Sequence, residues 1–180
     1  MTRRQVLQSA RTVLTLCMCL LLAGCVRCSG TYYDEGDGGP TADDFIRYNR
    51  RLFWCDSLCI AKYSDSLGLN SQPTPSNLWL TVHKQGTGAM VASGDHVTLD
   101  YVALTLLGDT IYSSARDGKM TLIVGKANVC LGLDEALLSL RHDGSEATVI
   151  LIPEKAFGVR GDDNRIHGRL ILRYDIHLLD

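Results

Sequence analysis

Side chains that ligate, attack or ionise are the first place to look for chemistry, and the chain offers seven cysteines and five histidines. Cys55 and Cys59 lie four residues apart, one helical turn, so they share a helix face. A zinc site there would need two more ligands, with Cys28 and His83 the nearest in sequence. A disulfide between the two would distort the helix, so small buried thiols are the expectation. His83, His96, His142, His167 and His177 show no metal-ligand spacing. Asp34, Glu35 and Asp37 lack the alternation of a calcium loop. Asp162 and Asp163 fall in a polar stretch and are expected to solvate it. There is no glycine-rich phosphate loop and no Ser-His-Asp context, so no metal, no cofactor and no nucleophile are expected.

The composition narrows the class further. With 46% hydrophobic and 21% charged residues over 180 positions, the chain is expected to build a globular core. A net charge of −2 gives no reason to expect nucleic acid. Arg3, Arg4 and Arg11 precede a ten-residue apolar run at 13–22. That run is short for a membrane span, which needs about 20 residues, and suits a signal peptide. It ends in Leu22-Ala23-Gly24-Cys25, which resembles the lipobox of bacterial lipoproteins. The resemblance implies cleavage after residue 24, lipidation (palmitate among the acyl groups) of Cys25, and a membrane anchor in the cell envelope. Val26 is no acidic retention signal, so an outer-membrane anchor is expected, with the periplasmic or surface face left open.

The remaining chain reads as four segments. Residues 25–41 are rich in Gly, Ser and acid, a flexible tether. Thr41 opens an amphipathic helix over 42–68. Phe45, Tyr48, Leu52, Cys55, Cys59 and Tyr63 form its apolar face, with Arg47, Arg50, Arg51 and Asp56 opposite. The helix either packs on the downstream domain, the expected outcome, or self-associates through residues 42–66. A stiff linker spans 69–77, around Gln72-Pro73-Thr74-Pro75. From 78 to 180 the texture changes to strands at 78–83, 97–107, 110–113, 120–124, 147–152 and 170–179, with a single short helix at 131–140. The fold class is therefore α+β: an antiparallel β-sheet wrapped around one short α-helix.

Within this domain, residues recur in an order that resembles the FKBP-type peptidyl-prolyl cis-trans isomerases. They are Gly86-Thr87-Gly88, Gly94-Asp95-His96-Val97 leading to Tyr101, Ser113-Ser114, and Val124-Gly125-Lys126. Gly132-Leu133-Asp134-Glu135-Ala136, Ile152-Pro153 with Ala156-Phe157-Gly158, and the closing run 172–179 complete the series. The resemblance implies rotation about X-Pro bonds, against an uncatalysed barrier of about 18–20 kcal/mol. No nucleophile is needed, because an apolar pocket strips water from the amide and weakens its C–N resonance.

Position by position, the resemblance also implies an altered pocket. Tyr101 matches the wall tyrosine. Cys130 occupies an isoleucine position whose backbone N–H meets substrate, and that donor survives the change of side chain. Phe157 replaces a tyrosine whose hydroxyl bonds a substrate carbonyl, a loss of about 0.5–1.5 kcal/mol. Ile111 stands for phenylalanine and Tyr112 for aspartate. Met120 and Leu122 replace two aromatics, and Leu133 replaces the floor tryptophan, which should deepen and loosen the site. Val129, Ile166 and Tyr174 keep the apolar and aromatic character of the remaining walls. Two readings follow. One is a lipid-anchored extracytoplasmic folding enzyme, weak or specialised, for proline-containing peptides and unfolded proteins; the other is a non-catalytic peptide-binding or chaperone lipoprotein using the same cleft.

Overall fold

Five buried residues in a row, Ala147 to Leu151, cannot serve a sheet that is covered on one face alone; a strand without polar alternation needs cover on both. The computed structural model, which describes residues 39–69 and 71–179, provides that cover. The expected signal peptide at 1–24, the lipidation candidate Cys25 and most of the expected tether lie outside the described residues. The chain divides into two units, 1–45 and 46–180.

The elements of the sheet are β1 (Gln72–Pro73), β2 (Leu78–Lys84), β3 (His96–Thr105), β4 (Thr110–Ser113), β5 (Met120–Ile123), β6 (Glu146–Leu151) and β7 (Leu172–Leu178). Every pairing is antiparallel, in the order β1-β2-β6-β7-β3-β4, and β5 pairs with β3 beside β4. Three helices accompany it: α1 (Ala42–Ser66), α2 (Ser114–Asp117) and α3 (Leu131–Leu137). On the inner face Leu133, Ala136 and Leu137 of α3 pack on Leu78, Leu99, Val149, Leu151 and Leu172. This is the expected sheet around one short helix.

The other face corrects the expected orientation of α1. Ile60, fully buried, packs with Trp79, Ile150 and Ile152, flanked by Phe53, Ala61 and Tyr63. Of the expected face, Phe45, Tyr48 and Cys59 are exposed and Leu52 and Cys55 half-buried, and Tyr63 alone joins the docked cluster. Asp56, expected on the solvent side, instead pairs with Arg169 at 2.7 Å. The docked stripe is displaced by roughly 100°, one residue of helical rotation. An amphipathic pattern with two apolar stripes does not say which one the sheet will take. Cys55 is a second correction, being disulfide-bonded, whereas Cys59 and Cys130 are free thiols. The linker is the third. Gln72 and Pro73 pair with Leu80 and Trp79 as an edge strand, where a proline's missing N–H costs no ladder bond.

At its start α1 is capped as the sequence suggests. The Asp44 carboxylate accepts from the Thr41 N–H at 2.9 Å, and the Asp44 N–H donates back to the Thr41 hydroxyl at 3.3 Å.

Candidate active site

Antiparallel register places the pocket's walls. On β3, alternate residues Val97, Leu99, Tyr101 and Ala103 are buried, and on β7 Leu172, Tyr174, Ile176 and Leu178. Tyr101 lies opposite Ile176 and Ala103 opposite Tyr174, so both tyrosines share the inner face. The register of β3 with β4 shifts between Ala103 and Leu104, which turns both Ile111 and Tyr112 toward the same cluster. The candidate site residues read from the sequence all belong to that hydrophobic cluster. Tyr101, Ile111, Leu122, Cys130, Leu133, Ile166 and Tyr174 are buried, with Tyr112, Met120, Val129 and Phe157 half-buried around them. Leu133 has no accessible surface. It supports the cluster from beneath, so the deeper, looser site expected at that residue is not seen.

Short polar anchors position the segment before α3. The buried Asp134 carboxylate accepts from the Gly125 N–H at 3.0 Å and the Ala127 N–H at 2.6 Å, fixing the chain that delivers Val129 and Cys130. A Cβ at Gly132 would collide with Leu151, so the start of α3 sits tightly on β6. Lys155 reaches Glu135 at 2.5 Å and ties α3 to the turn before Phe157. Cys130 itself is extended, just ahead of the helix, and its N–H has no hydrogen-bond partner among the described residues. Buried backbone donors are seldom left so. Burial pushes the Cys130 thiol up to about 11, although the N–H groups of Leu133 and Gly132 oppose it, so the side chain is an apolar wall and not a nucleophile.

The rim is held by a polar clasp that sequence reading missed. The Tyr112 hydroxyl donates to Asp162 at 2.5 Å and accepts from the Asn164 amide at 3.1 Å. Asp162 also accepts from the Asn164 and Ile166 N–H groups at 2.9 and 2.8 Å. Burial alone would raise its pKa, but the Tyr112 hydroxyl and these amides outweigh it and hold the carboxyl below its usual range. Arg165 lies over the Tyr112 ring, 4.7 Å from its centroid, and bonds Asp117 at 2.8 Å. Asp117 accepts in turn from the Ser113 N–H at 3.0 Å, and that bond above all keeps it well below the usual carboxylate range. Ser114 adds a bond from the Tyr101 N–H to its hydroxyl at 3.3 Å. Asp162 is thus no loop-solvating residue, which corrects the expectation for it. Asp163 stays exposed, beside Arg160.

The 158–170 segment that carries Asp162 and Ile166 closes on itself. Gly161 sits at φ +82°, and any Cβ there would strike the Ile166 carbonyl. The Arg169 N–H donates to the Gly158 carbonyl at 2.8 Å, while its guanidinium holds Asp56 on α1 and Glu154. A Tyr at 112 with an Asp fifty residues on carries no local signature, so nothing in the sequence marks the pair.

Comparison with known proteins bears on the same segment. The model of the family described as FKBP-type peptidyl-prolyl cis-trans isomerase matches residues 88–179. The chain is 30% identical over 118 residues to human peptidyl-prolyl cis-trans isomerase FKBP9, covering 65% of this chain and 19% of that protein. It is 32% identical over 97 residues to FK506-binding protein 4 of Chaetomium thermophilum, covering 54% of this chain and 20% of that one. The chain therefore spans about a fifth of the length of these curated relatives. Among solved structures, AtFKBP13 superposes with a TM-score of 0.58 at 24% identity, over 62% of this chain and 98% of its own. A peptidyl-prolyl cis-trans isomerase from Pseudomonas syringae pv. tomato gives 0.60 at 18%, over 73% and 93%; both likenesses speak to the fold. With the family model matched across the strands and helix that build the pocket, this chain belongs to the FKBP-type peptidyl-prolyl cis-trans isomerase family.

Proposed function

We propose that the protein is a weak or specialised peptidyl-prolyl isomerase acting outside the cytoplasm on X-Pro bonds of proteins that are folding. The observation that carries this reading is the unpaired Cys130 N–H beside an apolar cluster. A prolyl ring set against Tyr101, Val129, Ile166 and Tyr174 loses water around its amide. Water supports the charge-separated resonance form, so its removal lowers the cost of twisting the C–N bond. The Cys130 N–H then holds a peptide carbonyl while the bond turns. Each 1.36 kcal/mol removed from the barrier is tenfold in rate. With no hydroxyl at Phe157, one polar contact is missing, which favours a slower or more selective enzyme.

Exchange NMR on a panel of short X-Pro peptides tests this, using the detergent-solubilised full chain. Met120→Asp, which sets a charge in a half-buried wall, is the control. Faster cis-trans exchange that the control loses supports the isomerase. Peptide binding without faster exchange supports the second reading, a chaperone or peptide-binding module. That reading is favoured by the exposed Leu107, Leu131 and Val159, which offer apolar contacts to an unfolded chain. The lipid anchor rests on Leu22-Ala23-Gly24-Cys25. Incorporation of labelled palmitate that Cys25→Ser abolishes tests it, and unlabelled wild-type protein in the envelope fraction would overturn it. The uncovered Ile46, Tyr48 and Trp54 of α1 support self-association there. Sedimentation at rising concentration checks this, and a constant monomer mass sinks it.

A further inference from the structure

Three tyrosines reach the pocket cluster, and their hydroxyls are treated unequally. Tyr112 is fully engaged, donating to Asp162 and accepting from Asn164. Tyr174 is 98% buried, with 2% of its surface accessible, and its hydroxyl has no hydrogen-bond partner among the described residues. The Tyr101 hydroxyl has none either; the side-chain bond at that residue is from its backbone N–H to Ser114. Neither hydroxyl is sealed from solvent. Among the described residues, the unpartnered side-chain polar atom that is completely enclosed is Glu135 Oε2. The small accessible area of Tyr174 therefore includes its hydroxyl.

Register explains how the two come together. Tyr174 faces Ala103 on one side and Val149 on the other, and the methyl of Ala103 leaves room for the ring. Tyr101 is two residues before Ala103 on the same strand and face, a diagonal neighbour of Tyr174 at about 7–8 Å between backbones. Cys130, Tyr101, Asp162 and Tyr112 surround the Tyr174 hydroxyl closely enough to influence its ionisation. Burial raises both tyrosines above their ordinary value, so each stays protonated and able to donate at any physiological pH.

We propose that Tyr174, with Tyr101 beside it, is the pocket's side-chain hydrogen-bond donor to a peptide carbonyl next to the prolyl ring. It takes the part for which Phe157 has no hydroxyl. A hydroxyl with so little accessible surface among apolar side chains is poorly hydrated, and a peptide carbonyl oxygen would give it a partner. This inference rests on the peptide-binding reading above and adds the contact that would select among its substrates. Apolar packing grips the ring, the Cys130 N–H takes one carbonyl, and Tyr174 takes another.

Tyr174→Phe removes one oxygen and leaves the ring in place. In the detergent-solubilised full chain, it should lower kcat/KM for X-Pro exchange about three- to tenfold. The melting temperature should stay level or rise, because the hydroxyl makes no hydrogen bond among the described residues. Phe157→Tyr added to that variant should recover part of the loss. The Tyr174 Cζ resonance of the wild type should move on saturation with an X-Pro peptide. Unchanged kcat/KM in Tyr174→Phe overturns the proposal, as does a lower melting temperature with unchanged kcat/KM, which would make the hydroxyl structural. A wild type that neither speeds exchange nor binds the peptide removes the peptide-pocket reading and this proposal with it. An active wild type matched by an equally active Tyr174→Phe removes Tyr174 alone.

Discussion

Tyr112 shows how one residue can redirect a pocket's polar wiring. Where the family resemblance leads one to expect a carboxylate, a phenol reaches across to a carboxylate on another segment, Asp162, and an arginine settles over its ring. The partner of Tyr112 was not legible in the sequence, because hydrogen bonds across fifty residues leave no spacing rule. Cysteines differ in the same way. The Cys130 thiol, pushed up to about 11 by burial, should resist iodoacetamide at pH 8, whereas the exposed Cys59 should react at once. Mass spectrometry before and after urea checks this, and Cys130 labelled as fast as Cys59 in the native protein would refute it. Phe157→Tyr should raise kcat/KM for X-Pro exchange about two- to tenfold by adding a second donor at the rim beside Tyr174. An unchanged value would mean the residue stands away from the bound peptide.

At the scale of elements, α1 is a structural layer that packs on the sheet, as expected. Its Ile60 fills the outer face of β6 between Trp79, Ile150 and Ile152. Ile60→Ala should cost about 2–5 kcal/mol in urea unfolding, and a loss below about 1 kcal/mol would show that the helix lies loosely on the sheet. Asp56 and Tyr63 extend that contact to Arg169 and Arg173, so α1 also braces the segment that closes the pocket rim. The heptad-like run from Phe45 to Tyr63 correctly located a helix but not its docked face. Both stripes are apolar enough, and the choice was made by the groove between Trp79 and Ile152. Likewise the proline-rich 72–75 stretch looked like a spacer, yet its first two residues find an open sheet edge.

For the whole molecule, acid is the sharpest probe of the clasp. Asp117 and Asp162 are held below their ordinary 3.8, so each contributes stability that is present above that unfolded value. The contribution is lost as pH falls through the lowered folded values. The urea midpoint should therefore be level from pH 7 to about 5 and fall below about 4. Asp117→Asn should flatten the fall, and a midpoint as steep in that variant as in the wild type would exclude the clasp as its source. Because the clasp joins β4, α2 and the 158–170 segment, the same acid range should weaken peptide binding before the sheet unfolds.

Alternation in β3 and β7, the buried run of β6, the capped start of α1 at Thr41 and the short α3 ahead of Asp143-Gly144 were all written locally, in periods of two and 3.6 and in turn residues. So was the fold class, an antiparallel sheet around one short helix, while the order of the strands in that sheet came from the structure. Tertiary structure alone decided which stripe of α1 meets the sheet, that Asp162 bonds the Tyr112 hydroxyl, and that the Tyr101 and Tyr174 hydroxyls have no hydrogen-bond partner among the described residues. Those outcomes depend on atoms brought together from distant segments, where burial, register and competing hydrogen bonds are settled at once.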